Sequence, residues 1–246
     1  MAYLEVNNLS LTLEDKKLLK NISFSVPKGS ITLIAGKNGS GKSLLLKCLK
    51  GLEVPDKGYK ITLDGEELKK SKERMRRISL VFQDTALQIV GSTVEKDIAF
   101  GLENLKMERS KINEQVDKML DLFDMKELRH SACDVLSGGE KRKVAIAGVL
   151  AMGTNLLLLD EPFANLDYPS TKTVIQTLDK LKEEGITVIL VSHEAEKFLK
   201  HTDCTIILKD GEILYKGESK DSMEALREND IYLPKNAHFE DLSWLD

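Results

Sequence analysis

Gly36-Lys37-Asn38-Gly39-Ser40-Gly41-Lys42-Ser43 constrains this chain more than any other stretch. It has the spacing of glycine, four residues, glycine, lysine and a hydroxyl residue. It lies between the apolar run Ile31-Thr32-Leu33-Ile34-Ala35 and a helix-forming run, Leu44 to Lys50. A strand, a glycine turn and a helix in that order aim a row of backbone N–H groups and the positive end of a helix at one point, where an anion can sit. A nucleotide triphosphate suits such a place. Gly36, Gly39 and Gly41 are expected to leave no Cβ in the way of phosphate oxygens, and Lys37, Asn38 and Ser40 fill the rest of the cradle. Lys42 is predicted to bridge the outer phosphates as a mobile point charge, and the Ser43 hydroxyl to ligate Mg²⁺, a hard cation that prefers oxygen. The plain alternative, a glycine turn with a solvated lysine, is disfavoured by the strand and helix around the loop.

A chain of 246 residues can bury one substantial core, or a core and a small subdomain. Its net charge of −4 supplies no global basic field for nucleic acid or an anionic membrane, so no nucleic-acid partner is expected. The basic run Lys69 to Arg77 lacks interleaved aromatics and reads as a solvated helix or loop. Cys48, Cys133 and Cys204 match no metal spacing and read as structural, reduced thiols in a cytosolic setting. No apolar run approaches the roughly 20 residues of a membrane span, and Met1 to Val6 does not resemble a signal peptide. Any membrane part must therefore come from another chain.

Residues 3–6, 22–26 and 61–63 are short and β-rich between turn formers, and predict a small antiparallel layer beside the phosphate loop. Ile78 to Phe82 reads as a core strand ending at Gln83. From Thr93 to about Ala151 the spacing becomes helical, with Val116, Met119, Leu120 and Phe123 on one face. Residues 156–160, 187–192 and 205–208 are near-continuous apolar strands separated by helical stretches, which imply a parallel sheet covered on both faces. The expected fold is α/β: a nucleotide-binding core with a parallel sheet, a small antiparallel β subdomain and a helical insertion at about 93–151. A helical piece near 221–229 and the residues Tyr232, Pro234, Phe239, Leu242 and Trp244 are expected to pack back on the domain.

Hydrolysis also needs a carboxylate after a buried strand. Asp160 and Glu161 follow four leucines, where Asp160 can hold the Mg²⁺ shell and Glu161 can polarise an attacking water. His193 closes the next apolar strand, placed either to contact a γ-phosphate or simply to cap or face solvent. Leu136-Ser137-Gly138-Gly139-Glu140 opens a helix-rich segment, and Ser137, Gly138 and Gly139 form either a second phosphate cradle or an ordinary helix cap. One nucleotide has one γ-phosphate, so a second cradle implies that it closes over a nucleotide held by another copy.

Taken together, the phosphate loop at 36–43, Gln83, the LSGGE run at 136–140, LLLLDEP at 156–162, Asn165-Leu166-Asp167 and His193 resemble the ATP-binding-cassette ATPases up to about residue 217. The resemblance implies a domain at 1–217, a short extension at 218–246, and ATP and Mg²⁺ as ligands. It further implies that Lys42 and Ser43 bind phosphate and metal, that Gln83 reaches the metal and links the nucleotide to a transport partner, and that Glu161 is the base. By the same resemblance, His193 is a switch, and Ser137 to Gly139 and Asp167 face the opposite subunit. Segments 88–104 and 144–152 resemble, more narrowly, the ATPases of energy-coupling-factor transporters, which take up vitamins or cobalt and nickel ions. Such subunits pair with a second ATPase, identical or related, and drive a transmembrane scaffold carrying a substrate-binding component, from the cytoplasmic face of the membrane. Asp84-Thr85-Ala86-Leu87 departs from that pattern where a proline and acidic residues are usual, and Leu13 stands where many relatives place an aromatic ring under adenine. A soluble family ATPase in iron–sulfur assembly or DNA maintenance, and a non-hydrolysing nucleotide-gated module, are the alternatives.

Overall fold

A computed structural model describes residues 2–245; Met1 and Asp246, the outer ends of the expected domain and extension, lie outside the described residues. The chain begins with an antiparallel pair, β1 (Ala2–Leu13) and β2 (Lys16–Pro27). Both strands run further than their sequence suggested. Asn8, one of the turn formers after residues 3–6, and Asn21 take left-handed φ of 53° and 51° at register shifts and kink the pair without ending it. β3 (Ile31–Ala35) is buried along its whole length and leads through the glycine loop into α1 (Lys42–Lys50). β4 (Lys60–Leu63) and β5 (Glu66–Glu67) complete a four-stranded sheet in the order β2-β1-β4-β5.

Next come α2 (Ser71–Arg77) and β6 (Ser79–Val81). The basic run is not wholly solvated: Arg74 is fully buried, donating to the Tyr59 hydroxyl at 3.1 Å and Ser71 Oγ at 3.2 Å. Its position on the inner face of α2 outweighs its charge because those partners replace water. Helices α3 (Val94–Asn104), α4 (Arg109–Leu122) and α5 (Gly138–Leu150) follow, with Val116, Met119, Leu120 and Phe123 buried on one face.

β7 (Leu156–Asp160), α6 (Tyr168–Glu183), β8 (Thr187–Val191), β9 (Cys204–Lys209), β10 (Glu212–Glu218) and α7 (Met223–Glu228) complete the chain. The second sheet has the order β10-β9-β3-β8-β7-β6. Five of its strands are parallel; β10 is an antiparallel edge, returned by Asp210-Gly211 with φ of 49° and 79°. Side chains alternate between its faces. Leu33, Leu157, Leu159 and Leu190 pack under the later helices, whereas Ile34, Leu158, Ile189 and Val191 pack against α1 and the antiparallel sheet. Burying each such side chain contributes about 1.5–3 kcal/mol, and two filled faces explain why the strands lack polar alternation.

Leu226, Ile231, Leu233 and Leu242 of the C-terminal extension are buried in the first of these cores, with Phe239 and Trp244 packed against it. Tyr232 is the exception to the expected packing, being 67% exposed. In the extended segment 231–233 successive side chains alternate, so burial of Ile231 and Leu233 turns the residue between them outward. Among the described residues no helix is long and apolar enough to cross a membrane.

Candidate functional site

The parallel strands β3, β7 and β8 end side by side, and the residues that follow them meet there. After β3, Gly36 has φ +152°, and a Cβ on it would lie 2.3 Å from the Leu208 carbonyl oxygen. This glycine is thus required by the close approach of β9, in addition to any ligand. Gly41 caps α1 at φ +103° with no side-chain hydrogen bond, and the first turn contains no acidic residue. The helix N-terminus therefore keeps its partial positive charge unanswered by the protein. Lys42, only 6% exposed, folds back over the loop and donates to the carbonyl oxygens of Gly36 at 2.7 Å and Lys37 at 3.1 Å. Burial pushes its ammonium pKa down against the opposing pull of Glu161 and Asp160. Asn38 and Gly39 line the cleft beside it, and Ser40 Oγ is buried with no partner. Lys37 extends the other way, pairing with Asp230 at 2.5 Å.

After β7, Asp160 Oδ1 accepts a hydrogen bond from Ser43 Oγ at 2.9 Å. Burial raises the Asp160 carboxyl pKa, partly offset by that bond. Glu161 is held in the left-handed region at φ +45°, its N–H donating to the Val191 carbonyl at 2.9 Å. A non-glycine residue in that region costs of order 1 kcal/mol, and the turn aims the carboxylate into the cleft. There Glu161 Oε1 lies 3.1 Å from His193 Nδ1 and 4.0 Å from Lys42 Nζ, while Oε2 is buried with no partner. Neither the backbone strain nor the His193 contact was visible in the sequence. The cleft, about 230 Å³, is lined by Asn38, Lys42, Ser43, Gln83 and Glu161, with Leu18 at one side. Leu18 was missed; Leu13, the expected adenine position, sits at the exposed end of the β1–β2 hairpin.

An unpartnered buried hydroxyl, an unpartnered buried carboxylate oxygen, and the Ser43 and Asp160 oxygens 2.9 Å apart give a donor set that suits a hard, oxygen-seeking cation held together with phosphate. Mg²⁺ fits these residues.

Ser137, Gly138 and Gly139 lie at the start of α5, outside the lining of this cleft. Ser137 caps the helix: its Oγ accepts from the Glu140 N–H at 3.3 Å, and the Glu140 carboxylate accepts from Ser137 N at 2.8 Å and Oγ at 2.7 Å. Those bonds hold the Glu140 carboxyl below its usual range. The cap and an outward-facing cradle are compatible, because Ser137 and Gly138 remain exposed. A Cβ on Gly138 would lie 2.8 Å from Leu166, so this loop and the loop carrying Asp167 form one surface. Asp167, also exposed, caps α6 by accepting from Ser170 N at 3.0 Å.

Arg142, one turn into α5 and 2% exposed, donates to the Phe82 carbonyl at 3.0 Å, immediately before Gln83. Burial lowers its pKa to about 10, with Asp84 the nearest offset. Beyond Gln83 a groove of about 590 Å³ runs between Ala86, Ile89 and Ser92 on one side and Cys133 and Lys141 on the other. Leu87 and Val90, next in sequence to the lining residues Ala86 and Ile89, are 83% and 59% exposed.

A phosphate loop at a strand end, a hydroxyl and carboxylate pair for a metal, and a second carboxylate beside a histidine define a P-loop nucleotide-binding protein. The family profile described as ABC transporter matches residues 19–164, and the chain belongs to this family of transport-coupled ATPases, which bind ATP. It is 38% identical over 217 residues to the energy-coupling factor transporter ATP-binding protein EcfA1 of Fusobacterium nucleatum, covering 87% of this chain and 81% of that one. To EcfA1 of Lactobacillus johnsonii it is 40% identical over 227 residues, covering 89% and 80%. The structure of CbiO1 from Clostridium perfringens, part of the ABC transporter complex CbiONQ, superposes with a TM-score of 0.85 at 30% identity over 95% of this chain and 96% of that one.

Proposed function

We propose that this chain is the ATPase subunit of an energy-coupling-factor-type importer, peripheral on the cytoplasmic face of the membrane. The observation that carries the reading is the Glu161 carboxylate, buried yet half unpartnered, between Lys42 and His193 at the mouth of the phosphate loop. Glu161 is the general base that takes a proton from the attacking water; His193 holds its Oε1 and so turns Oε2 toward that water. Lys42 leaves the Gly36 and Lys37 carbonyls for the outer phosphates of ATP, and the loop N–H groups hold the rest. Ser43, Asp160 and Gln83 hold Mg²⁺, which when bound neutralises charge on the phosphates.

The exposed Ser137, Gly138 and Asp167 support a head-to-tail pair, with an identical or related ATPase, in which each chain closes over the other's nucleotide. The groove beyond Gln83, with the exposed Leu87 and Val90 next in sequence to residues that line it, suits a short apolar segment of a transmembrane scaffold that carries a separate substrate-binding component. Cargo, a vitamin or a metal ion in transporters of this class, is chosen by those chains. The names of the relatives support transport over the soluble alternative.

Glu161→Gln is expected to keep ATP binding, slow turnover by about 10²–10⁴-fold, and accumulate a dimer on ATP addition in gel filtration. Turnover at the parent rate would remove Glu161 from the role of base.

A further inference from the structure

The C-terminal extension is short, yet it touches three of the loops around the cleft. Asp230 pairs with Lys37 of the phosphate loop at 2.5 Å. The backbone N–H of Trp244 donates to the Lys197 carbonyl at 2.8 Å, and Lys197 Nζ lies 4.6 Å from the centre of the Trp244 ring. Lys197 is itself buried and paired with Glu194, the residue after His193. On its other side the Trp244 ring meets Tyr168, centroids 5.4 Å apart and planes at 44°. Tyr168 directly follows Asp167. One indole thus stands between the segment that continues from His193 and the loop that carries Asp167.

The neighbouring residues fix the indole there. Leu242 is fully buried, and its carbonyl accepts from Lys200 N at 3.1 Å. Ser243 Oγ lies 2.7 Å from His201 Nε2, whose other ring nitrogen is 3.0 Å from Asp179 Oδ1 on α6. The extension therefore touches α6 through Tyr168 and is hydrogen-bonded to the turns after β8; His193, at the start of those turns, contacts Glu161, and the segment 162–167 runs from Glu161 into α6. A segment serving only to cover apolar surface would need Leu242 and no aromatic bridge between two polar loops. Tyr168 remains 48% exposed, so the stack buries little area for the position it occupies.

We propose that residues 239–245 are a positioning strap, in which Trp244 sets the spacing between the Asp167 loop and the His193 segment and thereby the geometry around Glu161. This rests on the ATPase reading above. Trp244 acts through Tyr168 and Lys197, and touches no reacting atom.

The test uses the full chain, with its membrane partners where they co-purify, and follows phosphate release against ATP concentration in the presence of Mg²⁺. Trp244→Ala and Tyr168→Ala should each lower kcat about tenfold with KM within about threefold, and Trp244→Phe should restore most of the loss. Trp244 is the only tryptophan in the chain, so its emission reports the strap directly and should shift when ATP binds to Glu161→Gln protein. A kcat within about twofold of the parent in both alanine variants, at equal folded fraction, would overturn the strap. An emission unmoved by ATP would overturn it equally. If Trp244→Ala does not fold, Tyr168→Ala with its exposed ring decides the question by the same measure. A parent protein that releases no phosphate with or without partners would sink the ATPase reading; an active parent with unaffected variants sinks the strap alone.

Discussion

The two glycine-rich loops of this protein are built on opposite principles. At the phosphate loop Lys42, Asp160 and Glu161 are each less than a tenth exposed, and each meets the backbone, Ser43 or another of the three. At the start of α5, Ser137 and Gly138 are held by a local helix cap and otherwise face outward. Most of this buried polar cluster is paired by its own fold, because leaving such groups unpaired costs about 1–3 kcal/mol each; Ser40 Oγ and Glu161 Oε2 are the atoms left without a partner there. An exposed cap is ordered but unfinished. On the function proposed above, one end of the nucleotide would be met by a site already assembled, while the other end would wait for a second surface. Arg142 is a physical bridge between them, since it belongs to the helix of the outer loop and holds the backbone beside Gln83, which lines the cleft of the inner one.

The comparison can be broken most forcefully at its buried end. Lys42→Ala should weaken ATP binding by a single chain about 100-fold, as expected for loss of a charge-assisted contact, measured by titration of a fluorescent ATP analogue. Unchanged affinity would mean that the inner loop is not the one already assembled. Arg142→Met should come next, lowering turnover about tenfold while the midpoint of thermal unfolding moves little, because it removes both a charged hydrogen bond and the cost of burying the charge. A large fall in stability with unchanged turnover per folded molecule would make Arg142 a packing residue and not a bridge.

At the outer loop, Ser137→Ala should cost about 1 kcal/mol of stability and leave single-chain ATP affinity unaltered, while ATP-dependent dimerisation and turnover decline. Loss of single-chain affinity would contradict the division between the ends. The smallest effect is expected from Glu140→Gln. The Glu140 carboxyl is held below its usual range by Ser137, so its stabilising contribution is fully present above the ordinary carboxylate pKa and is lost as pH falls through the depressed folded value. The difference in unfolding midpoint between parent and variant should therefore be largest near neutral pH and shrink on acidification. A difference independent of pH would detach Glu140 from the charge of the cap.

Much of the framework was legible in the chain itself. Leu156 to Leu159 and Val188 to Val191 read as interior strands, since none of these side chains favours water on either face. Other features were hidden for identifiable reasons. Arg74 and Arg142 look like surface charges in a basic helix, yet each lies on the inner side of its helix, where hydrogen-bonding partners come from residues remote in sequence or from another element. Asn8 looked like a chain reversal because asparagine accepts the left-handed conformation equally well in a turn and in a bulge. Trp244 and Asp230 sat in a tail without periodicity, so no local pattern could show that they reach Tyr168 and Lys37.

What the sequence determined by itself was the inventory: which loop can receive phosphate, which runs must be interior strands, which carboxylates follow them. These follow from local chemistry, because glycine conformations, strand burial and helix capping are decided within a few residues. Only the tertiary structure decided who meets whom. The contact of Ser43 with Asp160, 117 residues apart, the turn that brings Glu161 to His193, 32 apart, and the indole between two loops depend on strand order in the sheet and on the path of the tail, which no short window of sequence contains.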